Sequence, residues 1–133
     1  EKRSEEKYQK SSLTDQSLKH VIEKLDGLIR IQKLYTNGNL KLTDVSNKLG
    51  LSSHAISQAI NVAKGKRFTD YLNELRVEEA ISLMRKLEYQ DEKLLAVAID
   101  SGFNNKTSFL NAFKKHVGKS PSEYRKSLYS QAS

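Results

Sequence analysis

A chain of 133 residues has room for one domain, or for two very small ones sharing a linker. Lys and Arg number 23 against 16 Asp and Glu, and the resulting net charge of +7 favours a polyanionic partner over an acidic-surface role. The absence of cysteine excludes disulfides and thiol chemistry and suits a reducing cytoplasm; no apolar run approaches the ~18 residues of a membrane span, and no export signal is present.

In chain order, 1–12 is charged, lacks an apolar period and reads as a flexible tether, and the missing initiator Met suggests a piece of something longer. From Leu13, the residues Leu18, Val21, Ile22, Leu25, Leu28, Ile29 and Gln32 recur at helical spacing, with Thr14 or Ser12 as cap and Asn37-Gly38-Asn39 as the terminating turn. Thr43 is expected to cap a helix through Leu49, and Ser52 or Ser53 one that runs to Lys64 and stops at Gly65. Phe68 to Leu87 keeps the helical period, long enough for a rod on the order of 30 Å. After a polar break at Tyr89–Glu92 come a helix over Leu94–Ser101, another capped by Asn104 or Asn105, and a last one opened by Pro121 and reaching about Tyr129. No strand-like alternation interrupts these patterns. The expected fold is all-α, with a tether over 1–12, a first subdomain over 13–67, a linker helix over 68–88 and a second subdomain over 89–133.

Residues 50–71 and 102–124 are two versions of one unit. With one extra residue allowed in the second copy, Ile56, Ile60, Gly65, Lys66, Phe68 and Tyr71 fall on Phe109, Phe113, Gly118, Lys119, Pro121 and Tyr124. Each copy follows a short helical run that ends at a glycine, and a short helix, a turn and a second amphipathic helix make a helix-turn-helix, the unit that lays its second helix in a DNA major groove. The charge is uneven: residues 93–133 carry seven Lys/Arg against two acids, whereas 51–92 carry six against seven. The second copy is therefore expected to supply more of the non-specific attraction to phosphate.

In the first copy Ile56 and Ile60 face inward, leaving Ser53, His54, Ser57, Gln58 and Asn61 outward. In the second, Phe109, Ala112 and Phe113 go inward and Asn105, Lys106, Thr107, Asn111, Lys114 and Lys115 outward. Amides can bond adenine edges bidentately and Lys can donate to guanine or phosphate, although one polar face alone is more often just the wet side of a helix. Leu110 either touches a thymine methyl or covers a neighbouring turn. His20, His54 and His116 share no metal-ligand spacing, so no metal and no cofactor is implied. Glu78 and Glu79, with Asp91 and Glu92, read as a solvated face rather than as an acid–base pair. Gly65-Lys66 and Gly118-Lys119 lack the spacing of a nucleotide-binding loop, and Arg76, mid-helix, reads as a structural ion pair with a nearby acid.

The segments L-N-E-L-R-V-E-E-A-I-S-L-M (72–84), A-I-D-S-G-F (98–103), S-F-L-N-A-F-K-K (108–115) and G-K-S-P-S-E-Y-R (118–125) resemble the DNA-binding domain of AraC/XylS-type transcription regulators over residues 40–127. The helix from Leu13 to Tyr35 is similar to versions at the end of large bacterial regulators, some with membrane-embedded sensors. The resemblance implies about seven helices in two helix-turn-helix subdomains and a cytoplasmic site of action, with no catalysis. The partners it implies are double-stranded DNA and a sensor or dimerisation region of a longer parent, with RNA polymerase a further candidate and no membrane contact by this fragment. Carried over by position, base reading falls on His54, Ser57, Gln58, Asn61, Lys106, Thr107, Asn111 and Lys114, and phosphate contact on Ser53, Lys66, Asn105, Lys115 and Lys119. Family members often have Arg where this chain has Gln58 and Asn111, which turns the expected preference from guanine toward adenine. The rival readings are a helical protein-interaction module that does not bind DNA, and a small hydrolase, for which the repeats offer no pocket.

Overall fold

The computed structural model describes the backbone of residues 2–132 and the side chains of 16–130. All regular structure among the described residues is helical: α1 (Lys2–Ile31), α2 (Leu42–Leu49), α3 (Ser53–Lys64), α4 (Phe68–Met84), α5 (Leu94–Ser101), α6 (Lys106–Val117) and α7 (Pro121–Ala132), with short 3-10 turns at Leu34–Thr36 and Leu87–Tyr89. The chain forms two compact units, Glu1–Gln32 with Lys41–Phe68, and Lys33–Leu40 with Thr69–Ser133. Lys33–Leu40, placed by the sequence in the first subdomain, falls in the second of these units, as does the helix read as a linker from Thr69 onward.

In the first unit α1 and α2 pack on α3, and the residues closed off from solvent are Leu25 and Ile29 of α1, Val45 of α2, and Ile56, Ala59 and Ile60 of α3. Helical backbone begins at Lys2, so the expected tether over 1–12 is helix in the structure, and neither Ser12 nor Thr14 is a cap. Lys, Glu, Gln and Arg have high intrinsic helix propensity and extend a helix without burying an apolar face. The cap of α2 is Lys41, not Thr43. Asp44, three residues into the turn, accepts a 2.9 Å hydrogen bond from the Lys41 amide. Near the far end of α3, Lys64 pairs with Asp26 of α1 at 3.4 Å.

The second unit is built on α4, whose buried residues include Val77, Ala80, Leu83 and Met84. These join Val97, Ala98, Phe103, Phe109, Ala112 and Phe113 in one core, against which Tyr124 and Leu128 of α7 pack. Phe103, Phe109, Phe113 and Tyr124 form a chain of tilted and edge-on rings with centroids 5.3, 5.7 and 5.6 Å apart. Each full aromatic burial stabilises by about 1.5–3 kcal/mol. The apolar period of α4 runs on to Leu87, but the helix stops at Met84 and Leu87 is 85% exposed. The rod is therefore about 25 Å long rather than 30 Å.

Lys33–Leu40 forms a strap across this unit. Helix α1 ends at Ile31, earlier than Asn37, because Lys33 takes a left-handed conformation (φ 50°, ψ 41°) that costs about 1–2 kcal/mol for a residue with a Cβ. Contacts made by that same turn offset the cost. The Lys33 ammonium pairs with Glu79 at 3.0 Å, and the buried Tyr35 donates its hydroxyl to Glu79 at 3.5 Å. Hydrogen bonding and charge attraction to Glu79 raise the Lys33 pKa, while burial, then Glu79, raises that of Tyr35. Glu79, expected on a solvated face, is only 7% exposed. Arg76, also 7% exposed, has no acid as partner among the described residues: Nε donates to the Tyr35 carbonyl at 2.7 Å, Nη2 to the Asn37 carbonyl at 3.1 Å and Nη1 to the Asn73 side chain at 3.1 Å. The Tyr35 carbonyl takes its donor from Arg76, while the Asn37 carbonyl accepts from the Leu40 amide at 3.1 Å as well; a guanidinium supplies several donors in one plane. Burial lowers the Arg76 pKa below the ordinary arginine value.

Candidate nucleic-acid interface

The two repeats fold alike. Helices α2 and α5 each have eight residues, α3 and α6 each have twelve, and all four end at a left-handed glycine: Gly50, Gly102, Gly65 and Gly118 with φ of 67°, 113°, 63° and 84°. Each second helix also begins in the same way. Ser52, extended at φ −69° and ψ 149°, accepts from the Ala55 amide at 3.1 Å, and Asn105 accepts from the Ser108 amide at 2.8 Å. This decides between the alternative caps. Ser52 rather than Ser53 caps α3, so Ser53 is the first helical residue and is half-buried; Asn105 rather than Asn104 caps α6.

Burial of Ile56, Ala59 and Ile60 on one side of α3 leaves His54, Ser57, Gln58 and Asn61 exposed on the other. Burial of Phe109, Ala112 and Phe113 does the same for α6, where Lys106, Thr107, Asn111 and Lys114 are exposed. Within each unit these four side chains share one face of one helix. Both faces combine short hydrogen-bonding groups with a helix N-terminus, whose partial positive charge favours anions. Leu110 is partly exposed on the α6 face, and Ala63 is exposed on α3.

The phosphate candidates divide further. Asn105 and Lys119 are exposed and Lys66 is half-buried. Lys115 is exposed, but its ammonium lies 3.4 Å from Asp70 at the start of α4. Asp70, Asn73, Ser108, Asn111, Lys115 and His116 line a polar groove of about 250 Å³ beside the α6 face. The carboxylate of Asp70 offsets part of the Lys115 charge. The sequence carries no local signal for this pair, since 45 residues separate its members. Among the described residues no three His, Cys, Asp or Glu come together as metal ligands, and no helix is long and apolar enough to cross a membrane.

A helix-turn-helix domain family matches residues 45–127, which takes in both repeats. The chain belongs to the AraC-type helix-turn-helix family. It is 30% identical over 93 residues, 70% of its own length, to an uncharacterized HTH-type transcriptional regulator of Staphylococcus aureus, and spans 12% of that relative. Its fold is similar to the C-terminal domain of AraT, a response regulator from Geobacillus stearothermophilus, at TM-score 0.63 and 26% identity, covering 80% of this chain and 84% of that one. It is likewise similar to the C-terminal domain of the two-component response regulator yesN from Fusobacterium nucleatum, at TM-score 0.61 and 29% identity, covering 80% of this chain and 98% of that one. The family match begins at Val45, so α1 and the strap lie outside it.

Proposed function

We propose that this AraC-type domain binds double-stranded DNA sequence-specifically as the DNA-binding part of a bacterial transcription regulator, with α3 and α6 as its two reading helices. The observation that carries the reading is the duplication itself: two second helices of equal length, with side-chain caps and exposed polar faces, each on its own apolar core. In this reading His54, Ser57, Gln58 and Asn61 meet one set of base edges and Lys106, Thr107, Asn111 and Lys114 another. The amides of Gln58 and Asn111 favour adenine. Ser53, Lys66, Asn105 and Lys119 hold the phosphates, with Lys115 weakened by Asp70. The two helices occupy adjacent major grooves, and a sensor or dimerisation region sits elsewhere in a longer parent, as the names of the relatives suggest.

The test is selection of bound duplexes from a random pool at defined salt. The expected site has two short recognised segments about 10 bp apart on one face of the duplex. Inserting about 5 bp between them turns one segment to the far side and should drop affinity toward that of random DNA. Affinity that survives the insertion would leave a single helix reading, and absence of duplex binding at ~50 mM salt would favour a protein-interaction module.

A further inference from the structure

The turn that launches α6 is held from outside the helix-turn-helix, by the strap. Asn104, immediately before the cap Asn105, donates its side-chain amide to the Gly38 carbonyl at 2.9 Å. The backbones here approach so closely that side chains have no room. A Cβ on Gly38 would lie 2.0 Å from the Asn104 side-chain oxygen and 2.9 Å from the Gly102 carbonyl, and one on Gly102 would lie 2.3 Å from the Tyr35 carbonyl and 2.9 Å from Arg76 Nε. Arg76 fastens the other side of the strap through the carbonyls of Tyr35 and Asn37. Gly102 is thus pressed against the strap and Phe103 buried in the core just before α6 begins, while the exposed Asn104 is tied to the strap by its amide.

We infer that Gly38 and Asn104 are positioning residues for the second reading helix: the strap clamps the turn 102–104 and so fixes where the first turn of α6, with Lys106 and Thr107, is presented. The inference rests on the DNA-reading proposal and deepens it. The first repeat has no such device in its own sequence neighbourhood, since the turn Gly50–Leu51 leads straight to the cap Ser52, and a Cβ on Gly50 would meet nothing within 4 Å. The two reading helices therefore differ in how they are held. Helix α3 is held by its cap, its core and bonds between its turn and α2, where the Ser46 hydroxyl donates to the Leu51 carbonyl, whereas α6 depends in addition on residues more than sixty positions earlier in the chain.

The experiment uses Asn104→Ala and Gly38→Ala in the whole chain, with two readouts. Amide hydrogen exchange in the free protein should quicken about tenfold at Ser108 and Phe109, whose N–H groups bond Asn105, and stay unchanged at Ala55 and Ile56, their counterparts in α3. Binding to the selected duplex should weaken about tenfold with random-duplex affinity unchanged, and the lost base preference should fall only in the segment read by α6. Should Gly38→Ala fail to fold, Asn104→Ala, which gives up one exposed hydrogen bond, decides alone. Unchanged exchange at Ser108 and Phe109, or equal losses on selected and random DNA, would overturn the inference and leave the DNA-reading proposal standing. A wild-type chain without preference among duplexes would overturn that proposal, and the positioning role with it.

Discussion

Replacing Arg76 by Ala tests the strap as a source of stability. The guanidinium is buried and donates to two main-chain carbonyls and one side-chain amide. Tyr35 is itself buried, so its carbonyl loses its donor where water does not readily reach, at about 2 kcal/mol. Asn37 is exposed and its carbonyl keeps the Leu40 amide as a donor, which limits that loss to about 0.5–1 kcal/mol. Removing the alkyl stem adds roughly 1 kcal/mol, and ending the desolvation of a buried charge returns part of it. The net expectation is about 3 kcal/mol, or a fall in melting temperature on the order of 10 °C for a chain of this size. Arg76→Lys should lose about 1–2 kcal/mol, because an ammonium keeps the charge but cannot span both carbonyls in one plane. Urea unfolding followed by circular dichroism reads both variants. A loss under ~1 kcal/mol for Arg76→Ala, or a Lys variant as stable as wild type, would refute the argument that the Tyr35 carbonyl depends on Arg76.

Asn111→Ala should change the preferred bases in one segment of the site at a cost of roughly 1–3 kcal/mol, while Lys119→Ala weakens all duplexes alike and lowers the salt slope by about one; equal losses on selected and random DNA for Asn111→Ala would deny it base reading. Asp70→Asn frees Lys115, so affinity for random duplex should rise and the salt slope steepen by up to about one; an unchanged slope would mean that Lys115 meets no phosphate. Because the folded-state pKa values of Lys33 and Tyr35 are raised, their stabilising contribution is complete below the ordinary tyrosine value of 10.0 and is lost as pH climbs through the folded values. Tyr35→Phe should shrink that alkaline loss in unfolding measured from pH 9 to 11, and an identical alkaline profile would sink the assignment.

The parts of the fold that the sequence made legible are those written in local signals. Glycine after each short helix, a Ser or Asn before each long one, and Ile56/Ile60 against Phe109/Phe113 placed both helix-turn-helix units and their outward faces. What escaped depends on distant partners. Glu79 beside Glu78 looks solvated until Lys33 and Tyr35 come from more than forty residues away. Asn37-Gly38-Asn39 reads as a simple stop, although Gly38 is small because Asn104 and Gly102 lie against it. Leu87 continues an apolar period that the backbone abandons three residues earlier, so periodicity overran the helix end. The charged residues after Lys2 show no apolar period in the sequence, yet their backbone is helical, a state for which Lys, Glu and Gln have high propensity.

The interrupted path of the second unit sets limits on how this molecule can be cut, copied or synthesised. A fragment begun at Thr69 would contain α5 to α7 and α4 without its first residue, but leave the Arg76 guanidinium and the Glu79 carboxylate without the carbonyls and the ammonium that pair with them. Gene surgery that exchanges the second helix-turn-helix between relatives must therefore bring residues 33–40 along, with α2 and α3 travelling as an insertion between the two halves. On the ribosome, residues 33–40 emerge early, but their partners Arg76, Glu79 and Asn104 follow only after α2 and α3, so the first unit can close before the second does.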